Sequence, residues 1–594
     1  MRAVLKRGQG EASAGVDGGR RRGETSGGAG EGRRRGLRRA LGDAGRPKRG
    51  QAETPPPPLP ERPRLAPDVT VHEPVEDGAP WLVQSGSQRY LRVAEGMAKL
   101  LRLADGTRDA GELARELGWP VELAGEGLLR AQRGGLLEDA SQKPRRERRI
   151  TFVPPLTVQF TVVRPERMLN VFRPLTARLA HRSWGIVAAV VAASGLLALV
   201  AQARTTTAAL SEPISLPALF ALLAVTYCGT MLHELSHGLV LSHYGGRPSR
   251  MGFMLFYLTP AFFCDVSDGW RLPRNRQRVR VALAGIATQA VIAGLAGIGS
   301  VAVAVAGGSP AVRDFLLLLT VTNYVSGLFN AIPFVKLDGY LALMSHLDVS
   351  HLRDRSITDA RRLVARLLFG GRYERALPGV DWAPLFGLAC MLFPLYVVSM
   401  AFSLWGSILE SAGMVGAVLV SIALGYLSLR VYVGVLKLLA EARTAGAAAW
   451  RRVTVSLAAT GVVAAALLGI SVPYTVTGGF VAEGQGRTVL VATATTDRDA
   501  IEPGAEVRLL SGGVVLQKQW GTATVAGGDF VRLSVPFSAF VPVTGLDGLK
   551  VPVDGVALDG GRLAPGTTGQ AVVDAGERSL GDWLYLKYVA PFWR

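Results

Sequence analysis

Apolar residues crowd into the stretch between Ser183 and Tyr474, where about seven segments are long enough to cross a bilayer as helices. They run roughly over 183–203, 214–243, 279–307, 314–335, 382–408, 414–437 and 453–474. Inside lipid every backbone amide and carbonyl must find its partner within the protein, which restricts such a chain to helices or a closed barrel. A run of this length and apolarity fits helices. The first segment starts too far along the chain to be a cleaved signal peptide.

The formal net charge of +19 would suit nucleic acid, but the placement of the cations points to membrane topology instead. Arginine and lysine cluster before the first span (Lys143 to Arg182), at Arg271 to Arg280, from Arg353 to Arg375, and from Lys437 to Arg452. The loops 204–213, 308–313 and 409–413 carry only Arg204 and Arg313. This alternation follows the positive-inside rule and puts the N-terminus in the cytoplasm. An odd number of spans then places the C-terminus outside the cell membrane. No nucleic-acid partner is expected. The three cysteines, Cys228, Cys264 and Cys390, lie in or near membrane segments and offer neither a disulfide framework nor a thiolate metal site.

The second span contains His233-Glu234-Leu235-Ser236-His237 between uncharged flanks. Helical residues four apart share a face, so both imidazoles can reach one metal ion. Glu234 sits beside them, placed to take a proton from water at that ion. Ionisable residues at lipid depth are costly and mark function. Two residues compete as third ligand. His243 has the spacing of three-histidine zinc proteases, but Val240 stands where those proteins place a helix-breaking glycine. On an unbroken helix His243 lies about 240° around from His237. Asp338 follows Pro333 and precedes Gly339 at the broken end of the fourth span, where an acid can turn inward. Asp338 is preferred. Gln289 is an in-membrane hydrogen-bonding group on the third span, and Asn330 opens the broken segment. Met251 to Phe263 reads as a re-entrant element or a buried strand pair with an edge open to an extended substrate, with Asp265 as a loop-stabilising or substrate-binding acid.

His233-Glu234-Leu235-Ser236-His237, Gly245-Gly246 and the Asn330…Pro333…Leu337-Asp338-Gly339 segment together resemble the site-2 protease family of intramembrane metalloproteases. The similarity covers about residues 180–345. It implies Zn2+ held by His233, His237 and Asp338, with Glu234 as catalytic base, near the cytosolic side. Charge placement sets both motif halves on that side independently. A PDZ insert, common in members that degrade regulatory membrane proteins, is absent from the sequence.

Residues 1–68 form a Gly/Arg-rich basic tail that cannot bury a core and read as disordered. Residues 69–142 show short strands at Trp81-Leu82-Val83 and Tyr90-Leu91-Arg92, then helical periodicity over 96–103, 110–117 and 121–129, with Thr107 placed to cap the second helix. This pattern resembles the peptide-binding chaperone of pyrroloquinoline-quinone biosynthesis, a winged-helix relative that captures a leader peptide as an added strand. Residues 143–182 read as a basic linker, and the arginines of 345–381 as a leaflet anchor. From 475 to 594 the pattern turns to short strands between glycine-rich turns, such as Thr488 to Ala492 and Glu506 to Leu510. That portion resembles the β-barrel part of haemolysin-type secretion adaptors. Its aromatic tail, Trp583 to Trp593, is expected to return to the membrane surface.

The sequence thus predicts a multi-domain bacterial membrane protein. A winged-helix-like N-terminal domain, a polytopic helical metalloprotease core over 183–474 and an extracytoplasmic β-barrel-like domain make it up. The combination implies leader removal from a ribosomally made peptide precursor, with membrane lipid and an exporter or biosynthetic enzyme as further partners. The alternatives are regulated cleavage of a membrane-bound signalling protein, or a non-enzymatic export or immunity protein.

Overall fold

The structure is a computed structural model that describes residues 59–590 apart from short stretches, the longest at 139–149, the others at 75–80, 86–88, 154–156, scattered positions between 164 and 180, 257–258, 412–413, 484–486, 493–495, 514, 547 and 562. The basic tail before 59 lies outside the described residues. The first folded unit pairs strands β1 (Val69–His72), β2 (Trp81–Ser85) and β3 (Arg89–Val93) antiparallel in that order. Helices α1 (Glu95–Leu103), α2 (Ala110–Leu117) and α3 (Val121–Arg133) follow and cover the sheet. Their apolar positions fall on one stripe each, so Val83, Leu100, Leu101, Leu113 and Leu128 meet in one buried core. The unit starts earlier than the sequence boundary at 69. Leu65 donates its amide to Ala104 O and Ala66 to Leu136 O, tying both ends of the domain together.

Thr107 does not cap α2. Asp109 does: its side chain accepts from Glu112 N while Glu112 reaches back to Asp109 N, closing a capping box. Thr107 instead donates its hydroxyl and amide to Asp105 Oδ1, and those bonds hold the Asp105 carboxyl below its ordinary range. The carboxylate two positions closer to the helix wins because it reaches the orphan N3 amide.

The segment read as a basic linker contains β4 (Ile150–Val153) and β5 (Thr157–Val163). After it come α4 (Arg182–Ala201), α5 (Ala203–Ser211), the short strand β6 (Ile214–Ser215) and α6 (Leu216–His243). The apolar stretch after α6 is a strand pair, β7 (Met251–Phe256) and β8 (Thr259–Cys264). Of the two sequence readings, the strand pair holds. β5 pairs with β7, giving a four-stranded antiparallel sheet in the order β4-β5-β7-β8. Register aligns Ile150, Phe160, Phe253 and Phe262 in one row across it, with Phe160 and Phe253 stacked at 5.0 Å. Neither 150–163 nor 251–264 contains an aspartate, glutamate, lysine, arginine or histidine.

Helices α7 (Asn275–Val305), α8 (Pro310–Ala331), α9 (Asp338–Leu347), α10 (Leu352–Phe369), α11 (Ala383–Ser411), α12 (Met414–Thr444) and α13 (Ala449–Gly469) complete the helical core. Seven helices (α4, α6, α7, α8, α11, α12 and α13) are long and apolar enough to cross a membrane. Half of the most apolar stretch of α7 is buried, 50%, against none, 0%, in α13. α7 is therefore the central post, and the outer helices present apolar side chains to lipid. Close packing around the post relies on missing side chains: a Cβ on Gly294 would lie 2.2 Å from Val191 O of α4.

Several arginines of α10 hydrogen-bond or pair within the protein. Arg361 and Arg362 pair with Glu441 of α12, and Arg355 donates to Ala376 O. Arg353 donates to Phe334 O and Cys390 O. Carbonyls freed at helix breaks inside an apolar environment need donors, and arginine supplies several from one side chain.

The C-terminal region is built of β9 (Ser471–Ala482), β10 (Thr488–Ala492), β11 (Glu506–Ser511), β12 (Gln519–Val525), β13 (Val531–Pro536), β14 (Val543–Thr544), β15 (Lys550–Gly560) and β16 (Thr568–Ser579), followed by α14 (Leu580–Tyr588). Its large antiparallel sheet runs β10-β9-β16-β11-β12-β15-β13, and β10 also pairs with β15. Phe480, Leu490, Val507, Leu509 and Val573 fill its interior. Trp583 of α14 packs against this core; Trp593 lies outside the described residues. β14 pairs in parallel with β6, directly ahead of α6, and Val515 N and Leu516 N both donate to Leu210 O of α5.

Replacing Asp109 with alanine removes the N-terminal capping box of α2 and is expected to cost about 1 kcal/mol. Hydrogen exchange at the amides of α2 reads this loss directly, and an unchanged rate at Glu112 would contradict the capping assignment.

Candidate metal centre

The C-terminal half of α6 presents His233 and His237 one turn apart toward α7. Both residues are buried at 4% exposure. α7 fixes each ring differently. Val281 O lies 2.7 Å from His237 Nδ1 and accepts its proton, which leaves Nε2 with a lone pair. His233 has no such bond, and its Nδ1 is buried without a hydrogen-bond partner. Its ring is instead seated on Gly285, where any Cβ would lie 2.4 Å from the imidazole.

Asp338 arrives from the other side. α8 ends at Ala331, the chain unwinds past Pro333, and α9 begins at Asp338 itself. The return is tight: a Cβ on Gly339 would fall 2.0 Å from Ala331 O. This brings Asp338 Oδ2 to 2.8 Å from His233 Nε2 and 3.3 Å from His237 Nε2, while the two Nε2 atoms stand 3.2 Å apart. Oδ2 is buried and makes no hydrogen bond of acceptable geometry.

Three electron-pair donors facing one another in a buried space repel unless positive charge lies among them. Ligands about 2.0–2.1 Å from a tetrahedral ion stand roughly 3.3 Å from each other, close to the three separations here. His233, His237 and Asp338 can therefore hold a metal ion.

Glu234 borders the cluster without joining it. Oε1 lies 4.0 Å from His233 Nε2, and Oε2 accepts from Cys264 N at 2.9 Å. The carboxylate is thus oriented by the last residue of β8, whose outer edge pairs with no described strand.

The other sequence candidates divide. Gln289 is buried at 2% exposure, donates to Ser326 Oγ at 2.8 Å, and accepts from Asn330 Nδ2 at 3.4 Å. These two residues form one polar link between α7 and α8. Asp265 is taken up by the loop after β8: its carboxylate accepts from Ser249 Oγ and from Ser267 N and Oγ, and it pairs with Arg250. His243 meets the Tyr244 ring edge-on, with centroids 5.0 Å apart, and stands outside the ligand cluster.

Sequence reading missed the groups that hold the site in shape. Val281 O and Cys264 N are backbone atoms, which leave no mark in residue identity. Gly285 reads from the sequence as a close-packing glycine one helical turn before Gln289, but nothing in the sequence pairs it with His233.

Comparison with known proteins leaves the site to speak for itself. No family model, no curated protein and no solved structure matches the chain.

Gly285→Ala should push the His233 ring out of line and weaken metal retention by about tenfold or more, while the protein still folds. Metal content after dialysis of the purified protein checks this; a full complement of tightly held metal would refute the packing argument.

Proposed function

We propose that the chain is an intramembrane zinc metallopeptidase that removes the leader from a ribosomally made peptide precursor. The observation that carries this reading is Glu234. A carboxylate with one oxygen tethered and the other free beside a two-histidine, one-aspartate cluster suits a general base, and a purely structural metal site has no use for it.

The donor set suits zinc, two neutral imidazole nitrogens and one carboxylate with room for a further ligand. When bound, the ion supplies Lewis acidity, polarising the scissile carbonyl and making water a stronger acid. The chain's own residues do the rest. His237 is kept in the right tautomer by Val281 O, and Asp338 adds the negative charge that anchors a dication. Glu234 takes a proton from the attacking water at Oε1 and delivers it to the leaving amine. Cys264 N holds Oε2 throughout, so the proton stays on the side facing the cluster.

The free edge of β8 supports an extended substrate. A peptide added there exposes its amides beside Glu234, whereas a helical one hides them. The charge-free four-stranded sheet suits insertion at the membrane surface, where an apolar or membrane-associated substrate segment arrives. β3 is also an edge strand, and it lies next to the 3-10 turn at Ser267–Arg271 just beyond β8. That adjacency favours the winged-helix-like reading of the N-terminal unit as a leader holder feeding the cleft, which raises local substrate concentration.

Membrane orientation follows the cation pattern, with the N-terminus cytoplasmic and the C-terminus outside a bacterial membrane. The strand pairings of the C-terminal region return from β15 to β10, which supports a barrel-like module. β14 meets β6 beside a cation-poor loop, in keeping with an external position, where an exporter or the released product is its expected partner. Absence of a PDZ insert disfavours regulated cleavage of signalling proteins.

Glu234→Gln should keep the metal but lower peptide cleavage by about 10²- to 10⁴-fold. Coexpression with a candidate small peptide precursor, followed by mass spectrometry, reads the product; undiminished cleavage would end the proposal. Asp338→Ala should lose the metal, whereas His243→Ala should retain both metal and cleavage. The opposite pattern would reassign the third ligand.

A further inference from the structure

Asp338 is the first residue of α9, and the segment before it is non-helical. A ligand so placed is only as well positioned as the helix that carries it. The far end of α9 is capped by Asp348, a non-glycine residue held in the left-handed region at φ 54°. The Asp348 Oδ1 atom meets Arg278 Nη2 at 2.5 Å. Arg278 belongs to the first turn of α7 and is buried, 6% exposed. Its guanidinium also donates to Leu272 O at 3.2 Å and to Asn275 Oδ1, and lies over the Trp270 ring at 5.4 Å.

Resting on the metallopeptidase reading, we propose that Arg278, through Asp348, is the positioning residue that sets where the Asp338 carboxylate stands relative to the two histidines. α7 already carries the two contacts that fix those histidines, Val281 O and Gly285. Arg278 stands one turn before Val281, so a single helix gauges all three ligands. α7 packs along α9, and the arginine pins the end of α9 opposite the carboxylate. With the pair intact, α9 cannot tilt or slide without breaking the Asp348 contact of a guanidinium that Leu272 O and Asn275 Oδ1 hold in place on α7. Lysine has one point charge and no planar fork, so it can keep the ion pair but not the whole set.

The test uses the full chain in detergent micelles, with zinc affinity read by competition with a chromophoric chelator. Unfolding temperature of the metal-free protein is recorded alongside. Arg278→Met and the gentler Asp348→Asn should each weaken zinc binding by about tenfold or more, in the range for residues that orient ligands. Arg278→Lys should recover part of the loss. Glu441→Gln, which breaks the Arg361 and Arg362 pairs elsewhere in the helical core, serves as the control for general loosening and should leave zinc affinity unchanged.

If Asp348→Asn and Arg278→Met bind zinc as wild type does, or weaken only in step with Glu441→Gln, the positioning role is overturned. If Arg278→Met fails to fold, Asp348→Asn decides alone. His233→Ala separates this failure from a deeper one: wild type binding zinc no better than His233→Ala would remove the metal reading, and the positioning role with it.

Discussion

Three electron-pair donors forced together in apolar surroundings are the constraint around which the helical core is arranged. Such a cluster has no reason to persist in a hydrophobic span unless a cation repays the desolvation of its members. The neighbouring structure is shaped to keep the donors close. α7 loses its side chain at Gly285 so that one imidazole can approach, and offers a carbonyl at Val281 so that the other keeps its lone pair inward. α8 breaks so that an acid can enter from a third direction. The buried face of α7 is the one that carries Val281, Gly285 and Gln289, while Leu295 and Ile298 stay exposed.

Much of this was legible because the relevant signals are local. Lipid-facing helices are apolar all round, so hydropathy finds them without knowledge of their neighbours, and all seven appear close to the expected bounds. The histidine pair is visible through helical spacing alone. Asp338 is visible because Pro333 and Gly339 mark a break, and an acid at a break has somewhere to turn.

What stayed hidden depends on contacts between distant parts of the chain. Nothing local says that 157–163 pairs with 251–256, and cationic flanks made the first of these look like linker. The arginines after α9 give no local sign of the carbonyls they satisfy. At α2 the error was smaller, since two capping residues stood within three positions and the choice depended on which oxygen reached the N3 amide. Some C-terminal strands, such as 488–492 and 506–510, were legible from apolar residues between glycine-rich turns; their order was not, because antiparallel ladders of similar strands look alike in sequence.

The shared sheet has a consequence for where the working unit begins. Half of the platform that orients Glu234 comes from residues upstream of the first span, so a fragment starting at residue 183 would keep the histidines, the aspartate and the base yet strip β4 and β5 away. β7 would then present a bare second edge rich in phenylalanine and methionine, a surface prone to pair with its own copies. The smallest piece worth isolating therefore begins ahead of Ile150, not at the first membrane helix.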